Sequence, residues 1–381
     1  MKVLHICSDY PNTKLYSNLV TKLAQKNVEQ IVFIPTATEK LKKIKPLKNV
    51  EFIFSSKINK FERISYFGKV NKMVQNIKDS IDLNNVDIVH AHFLFSNGGA
   101  AYRLKKEKNI EYIVAVRNTD VNIFLKYGLH LRRFGVEILK EAKNIVFLSE
   151  SYKAQVLDKY VPKSLRAELE KKIEIIPNGI DAEWLENMNY KKKYLYKKQE
   201  IKLIFVGEIK KNKNLHNLID AVQILTKRGY NVALTVIGEG SGKYEEKVKK
   251  KVCIENGKIT FKGYISDKKS LIENYRNSDI FVMPSFKETF GLVYIEALTQ
   301  GLPVIYSEGQ GIHGYHEEGE IGFSVNPYNS IDIATKIEKV IENYEVISSK
   351  TLEAAKRFNW TDISEIYKNL YIEKLGGSQW K

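Results

Sequence analysis

Pro284-Ser285-Phe286-Lys287-Glu288-Thr289-Phe290-Gly291-Leu292-Val293-Tyr294-Ile295-Glu296-Ala297 follows the apolar run Asp279–Met283 and leads into a stretch of helical spacing. A short strand, a loop ending in glycine and a helix make a βα unit, whose loop lies beyond the carboxyl end of a parallel strand. Backbone N–H groups at such a helix start have no partner inside the helix, and with the helix dipole they favour a phosphate without help from a metal. Glu288 precedes the glycine and Glu296 stands eight positions later, a spacing that predicts about two helical turns between them. Carboxylates accept paired hydrogen bonds from sugar hydroxyls, which suits both to ribose or hexose contacts. A solvated acidic pair at a helix start fits the same spacing, which leaves both readings open.

Outward from this loop the same alternation runs through the chain. Lys2–Ile6, Gln30–Ile34, Val86–His90, Tyr112–Val116 and Asn144–Leu148 read as strands, each followed by helix-compatible sequence such as Ser17–Gln25 or Gly99–Lys106. After Lys172 the pattern starts afresh, with strands expected at Ile173–Ile176, Ile201–Val206, Val232–Ile237, Ile259–Phe261, Asp279–Met283 and Pro303–Tyr306. Leu215–Lys227, Tyr244–Glu255, Ser270–Asn277 and Tyr294–Thr299 lie between them as helices. The pattern predicts an α/β protein of two Rossmann-like domains, residues 1–178 and 179–355, facing across a cleft lined by strand-to-helix loops. The basic, Tyr-rich segment Asn187–Glu200 falls where a linker belongs, and the hinge is expected at Asn178–Glu200.

Composition agrees with two folded cores: 381 residues, 43% hydrophobic and 28% charged, with only 8 prolines. Cys7 and Cys253 stand far apart with no metal-ligand spacing, which points to a reducing compartment and away from disulfides and structural zinc. The first residues show no basic leader, and no apolar run approaches the ~20 residues of a membrane span, so the chain is expected to be cytoplasmic. The formal net charge of +16 admits nucleic acid, an anionic membrane surface or anionic substrates as partners. Lysines gather at Lys40, Lys42, Lys43, Lys45 and Lys48, and again at Lys191, Lys192, Lys193, Lys197 and Lys198 among Tyr190, Tyr194 and Tyr196. These groups read as solvated faces or as docking patches.

The Glu288-to-Glu296 run resembles the E-x7-E element of the retaining GT-B glycosyltransferases of family 4, the glycosyl transferases group 1. Further elements stand in the family's order: Pro177-Asn178-Gly179-Ile180-Asp181, Val206-Gly207-Glu208 with Lys213, Gly238-Glu239-Gly240, Phe261-Lys262-Gly263-Tyr264, Gly301-Leu302-Pro303-Val304 and Phe358-Asn359-Trp360. The resemblance implies a second domain that binds a nucleotide-sugar donor and a first domain that takes the acceptor. It also implies a C-terminal helix, within 356–381, that crosses back to the first domain.

By the same resemblance Lys213 and Glu288 are catalytic. Lys213 would contact the donor diphosphate beside Gly207 and Gly238, and Glu288 would bind the hexose. The backbone of Thr289, Phe290, Gly291 and Leu292 would hold the phosphates, Glu296 the ribose, and main chain at Tyr264 and Ile265 the base. Glu208 departs from the family, which carries arginine there. An acid beside a diphosphate repels it, so Glu208 is expected to point away, to pair with a lysine, or to mark a changed donor. Lys210 and Lys211 are the lysines near enough in sequence.

In the first domain the loop Ser8–Thr13 lacks the paired glycines of many relatives. His92 closes the run Asp87-Ile88-Val89-His90-Ala91-His92, which resembles the family's D-x-x-H-x-H, and it is a candidate catalytic residue at a strand end. Arg117 and Asp120 are further candidates: the arginine for a phosphate or acidic acceptor, the aspartate for a sugar hydroxyl, or the two as a buried pair. His313 and His316 lie in a glycine-rich loop and are not expected to be catalytic.

The reading implied by the resemblance is a retaining transferase moving a hexose or N-acetylhexosamine from a nucleotide sugar, UDP ahead of GDP, to a saccharide or lipid-linked acceptor. Bacterial surface polysaccharide synthesis is the implied setting. Neither metal nor cofactor is expected, nor nucleic acid; peripheral contact with an anionic membrane, on the inner face of the plasma membrane, is. A nucleotide-sugar epimerase of the same fold and a basic nucleic-acid-binding protein are the alternatives.

Overall fold

A computed structural model of the chain describes residues 1–35, 44–55, 65–191, 194–195, 199–254 and 258–373. Lys40, Lys42, Lys43, Lys192, Lys193, Tyr196, Lys197 and Lys198 lie outside the described residues.

Thirteen strands are described, and they form two wholly parallel sheets. The first contains β1 (Lys2–Ile6), β2 (Glu29–Ile34), β3 (Val50–Phe54), β4 (Ile88–Ala91), β5 (Tyr112–Ala115), β6 (Asn144–Phe147) and β7 (Ile173–Ile175), in the order β3-β2-β1-β4-β5-β6-β7. The second contains β8 (Ile201–Val206), β9 (Val232–Ile237), β10 (Lys258–Phe261), β11 (Ile280–Val282), β12 (Val304–Ser307) and β13 (Gly322–Val325), in the order β10-β9-β8-β11-β12-β13. Helices cover parallel sheets on both faces, so their central strands are near-continuous apolar runs. Val3, Leu4 and Ile6 of β1 and Leu203, Ile204 and Phe205 of β8 are accordingly fully buried. Each sheet reverses strand order once, between β1 and β4 and between β8 and β11, and doubly wound folds bind ligands beyond the strand ends at such reversals.

The chain forms two compact units. The first comprises Met1–Leu148, Tyr152–Gly179 and the described residues from Trp360 onward; the second comprises Ser149–Ser151 and Ile180–Asn359. Apart from the short excursion at Ser149–Ser151, the chain passes between units at Gly179–Ile180 and again at Asn359–Trp360. These two points pack together within the first unit: a Cβ on Gly179 would come within 2.5 Å of the Trp360 indole, so the position excludes any larger residue. The last helix, Trp360–Glu373, buries Trp360, Ile363, Tyr367, Leu370 and Tyr371 against Val3, Ile88 and Ile113 of the first sheet.

Three expectations need correction. The run at Ile173 does not open the second sheet; as β7 it pairs with β6, Ile145 against Ile173, and closes the first. Val50–Phe54 and Gly322–Val325 are strands that the pattern did not mark. The C-terminal helix expected within 356–381 is preceded by a break, since one helix ends at Lys356 and the next begins at Trp360. Phe358 and Asn359 close that break with turn bonds to Ala355 and Lys356.

Candidate functional site

The reversal between β8 and β11 brings together two loops that are 75 residues apart in sequence. Lys213, on the 3-10 turn Lys211–Lys213 after β8, places its Nζ 2.5 Å from Glu288 Oε2 in the loop after β11, both side chains being largely enclosed. The loops are strapped along their length. Phe286 N–H donates to Asn212 C=O at 2.9 Å, and Asn212 Nδ2 donates to Lys287 C=O at 2.8 Å. Asn214, left-handed at φ 60 and fully buried, donates Nδ2–H to Pro284 C=O and Pro327 C=O. Gln310 Oε1 accepts Glu288 N–H at 3.1 Å, and Gly311 N–H donates to Glu288 C=O at 2.8 Å. Glu288 is thus held at its backbone while its carboxylate stays beside a lysine.

Gly207 and Gly238 floor the same edge of the second sheet. Gly238 has φ +131, and a Cβ there would fall 2.1 Å from Gly207 C=O, so adjacent strand ends approach too closely for any side chain. Gly238 N–H donates to Gly263 C=O at 2.8 Å, continuing the glycine edge to the end of β10.

Gly291, at φ +78, is the N-cap of the helix Leu292–Thr299, which therefore has no capping side chain. Its first-turn N–H groups are the anion-favouring kind. Phe290 is buried against Tyr315 and Phe358, and Thr289 N–H donates to Glu288 Oε1 at 3.1 Å. Glu296 does not lie two turns into the helix, because the helix begins only at Leu292 and the preceding residues are loop. Its carboxylate faces the Tyr275 hydroxyl at 3.3 Å, and burial pushes its pKa up to about 7. Tyr264 exposes its ring, and its N–H donates to Glu239 Oε1 at 3.2 Å, so a base would meet that N–H already engaged. Ile265, beside it, is half-buried. Glu208 takes the course of pairing with a lysine: Lys210 Nζ lies 2.5 Å from its carboxylate at an exposed position.

In the first unit the sheet gathers histidines that sequence spacing does not pair. β1 and β4 run in register with His5 opposite His90, and His92 follows at the end of β4. His5 Nδ1 and His92 Nε2 are 3.0 Å apart, the His90 and His92 rings stack at 4.0 Å, and His90 Nδ1 meets the Tyr371 hydroxyl at 2.7 Å. All three are fully buried, so His92 is packed rather than presented at a strand end. Burial takes His5 down to about 3 and holds His90 and His92 well below the ordinary imidazole value, Arg117 adding its repulsion to the latter two. One ring nitrogen from each lies within 4.8 Å of the others, the spacing at which imidazoles can share a metal. The positive charge of Arg117, which acts on His90 and His92, opposes a dication there.

Arg117 and Asp120 are not paired through their side chains. Asp120 is buried, and its carboxylate accepts backbone N–H groups from Leu94, Phe95 and Arg117 at 2.9–3.2 Å, tying the loops after β4 and β5 together. Both carboxylate oxygens thus bond the backbone. Burial raises its pKa to about 6 against those three bonds. The Arg117 guanidinium donates to Asn178 Oδ1 at 3.2 Å and also bonds the Tyr367 hydroxyl, which commits it to the chain crossing and the last helix.

The structure therefore assembles Gly207, Lys213, Gly238, Glu288, Gly291 and Leu292 on one sheet edge, places Tyr264 and Glu296 on neighbouring elements, and buries His92 and Asp120. Asn214, Gln310 and His5 escaped the sequence reading. An asparagine just before a helical run was the available signal for Asn214; nothing local marks the other two.

Comparisons with known proteins bear on the family and the fold. The glycosyl transferases group 1 family matches residues 186–358, and glycosyltransferase family 4 matches residues 15–184. An uncharacterized glycosyltransferase of Methanocaldococcus jannaschii is 25% identical over 324 residues, 78% of each chain. The capsular polysaccharide biosynthesis glycosyltransferase CapM of Staphylococcus aureus is 30% identical over 253 residues, 62% of this chain and 64% of that one. The solved structure of Anabaena HepE in complex with UDP-glucose superposes with a TM-score of 0.68 at 16% identity, covering 99% of this chain and 100% of that one.

Proposed function

The chain belongs to the glycosyl transferases group 1, of the family 4 type, and from that premise we propose that it is a retaining transferase using a UDP-sugar. The donor, a UDP-hexose or UDP-N-acetylhexosamine, is held by the second unit, and the acceptor, a saccharide or a lipid-linked saccharide, by the first. The observation that carries the reading is the Lys213–Glu288 pair beside the uncapped helix start at Gly291. Departure of UDP builds negative charge on its terminal phosphate. A lysine and unpaired N–H groups aimed at that charge stabilise the transition state more than the bound donor.

Glu288, fixed by Gln310 and Gly311, holds Lys213 before the donor binds and takes the hexose hydroxyls once phosphate engages the lysine. The acceptor oxygen bonds to the anomeric carbon on the face from which UDP leaves, and its proton passes to the departing phosphate oxygen. Neither metal nor cofactor is required. UDP is favoured over GDP by the UDP-glucose complex of the Anabaena neighbour, and surface polysaccharide synthesis by the similarity to CapM. No helix among the described residues is long and apolar enough to cross a membrane. We place the enzyme in the cytoplasm, in peripheral contact with the anionic inner face of the plasma membrane, which its charge of +16 favours.

A thermal-shift screen against UDP, GDP and ADP with EDTA present tests the reading. UDP at about 100 times its Kd should stabilise the folded chain by about 2.7 kcal/mol, and Lys213→Ala should abolish the shift. Stabilisation by none of the three would refute the donor site.

A further inference from the structure

Residues 118–134 of the first unit follow β5 directly and carry a rare feature, the π-helix Asp120–Leu125. Such insertions concentrate at functional positions. The segment is firmly anchored on its inner side. Leu125 and Leu131 are buried, Phe124 stacks on Phe95 at 4.9 Å, Asp120 bonds three backbone N–H groups, and Arg132 Nε donates to Leu125 C=O at 2.6 Å. Its outer side nevertheless presents large apolar side chains among polar ones: Ile123, Tyr127 and Leu129 are 55%, 68% and 65% exposed. Ile123 and Tyr127 are four residues apart in helical conformation and share a face, and Leu129 follows after the turn at Gly128. Phe67, 43% exposed and in ring contact with Phe134 at 5.3 Å, borders the segment.

Single exposed apolar residues mean little, but three within seven positions on an anchored surface form a patch that calls for a partner. The charge around it selects that partner. Between Asp120, which is buried, and Glu137 the sequence has Lys126, Arg132 and Arg133 and no acidic residue. Aliphatic and tyrosine side chains flanked by lysine and arginine match a bilayer interface bearing anionic headgroups. Lys126 Nζ lies 4.8 Å from the centre of the Tyr127 ring, which brings the cation and the amphipathic aromatic to the same point of the surface.

We propose that residues 118–134 are a docking surface that seats the first unit on an anionic lipid bilayer. The inference rests on the peripheral membrane contact proposed above and gives it a place. The segment grows from the end of β5, the strand that also leads into Arg117, so docking sets the carboxyl edge of the first sheet at the lipid surface, where a lipid-linked acceptor would present its saccharide.

Binding is measured on vesicles without donor or acceptor, so failure of docking and failure of transfer are separate results. The full chain should sediment with vesicles of phosphatidylcholine plus phosphatidylglycerol, not with phosphatidylcholine alone, and binding should fall as salt rises. Lys126→Ala with Arg133→Ala should weaken partition roughly 30-fold at low salt, about five-fold per basic residue; Arg132 is spared because it bonds the backbone. Ile123→Ser, Tyr127→Ser and Leu129→Ser together should abolish binding while the melting temperature is kept. Leu129→Trp supplies a reading that survives if the triple variant fails to fold, because its emission should shift to the blue with anionic vesicles alone. Indifference to lipid charge, unchanged binding by the folded triple variant, or unchanged Leu129→Trp emission would overturn the proposal. So would a dimer that the same substitutions dissociate, which would make the patch a contact between copies of the chain.

Discussion

Lowering the pH from 7.5 to 5.5 tests the buried histidine cluster. In the unfolded chain an imidazole near the ordinary value of about 6.5 is roughly nine-tenths protonated at pH 5.5. In the folded chain His5, held at about 3, stays neutral, and so do His90 and His92, which burial and Arg117 keep well below 6.5. A folded pKa below the unfolded one means that the unfolded state binds the extra proton. Stability is therefore full above about 6.5 and is lost as pH falls toward the folded value. His5 contributes a loss of about 1.4 kcal/mol over this interval, and His90 and His92 add to it in the same direction. Asp120 runs the other way: its pKa rises from 3.8 to about 6, so the folded state takes up a proton as pH falls through 6. That returns about 0.8 kcal/mol, less than the loss from His5 alone, so the net change is still a loss. Glu296, His216 and His316 titrate in the second unit as well, so a difference measurement isolates the cluster. Urea unfolding of the wild type and of His5→Gln at both pH values should show the variant losing about 1.4 kcal/mol less than the wild type. Equal losses would refute the argument, because His5 would then titrate in the folded chain as it does in water.

Lys213→Ala should lower kcat/KM for sugar transfer by roughly 10²–10³-fold with little change in melting temperature; initial rates near wild type would remove the lysine from the site. Glu208→Arg breaks an exposed pair worth at most about 1 kcal/mol and adds a cation beside the loop, so nucleoside diphosphate affinity by calorimetry should rise several-fold; weaker binding would show that this edge does not face the phosphates. Gly238→Ala should lose several kcal/mol or fail to fold, since its Cβ would sit 2.1 Å from a carbonyl oxygen at φ +131. A variant with wild-type melting temperature would contradict that geometry. Asp120→Asn keeps the shape but removes the charge and one of two acceptor oxygens shared by three N–H groups. A loss of about 2 kcal/mol in urea unfolding is expected, and none would mean the loops hold without it.

Much of the fold was legible because its signals are local. A strand such as Ile201–Val206 follows from a short, nearly continuous apolar run and a helix such as Leu215–Lys227 from a side-chain period of 3.6 residues, and the structure places them where the sequence does. Val50–Phe54 was hidden because it is an edge strand with no buried residue, and Gly322–Val325 because it has four residues and opens on a glycine. The loop at Glu288 was legible for the same local reason, a strand end followed by glycine and a helix.

What the sequence by itself determined is the kind of each segment and the chemistry that each loop offers. What only the tertiary structure decided is company. It gave Ile173–Ile175 to the first sheet, set His5 beside His90 and His92, brought Glu288 to Lys213, paired Glu208 with Lys210, and turned Asp120 toward three backbone N–H groups. Backbone sterics act over a few residues, so a run of side chains can announce a strand but not its neighbour. Neighbours follow from the order in which a doubly wound sheet brings distant strands together, and that order fixes which charges are buried, paired or left facing a ligand.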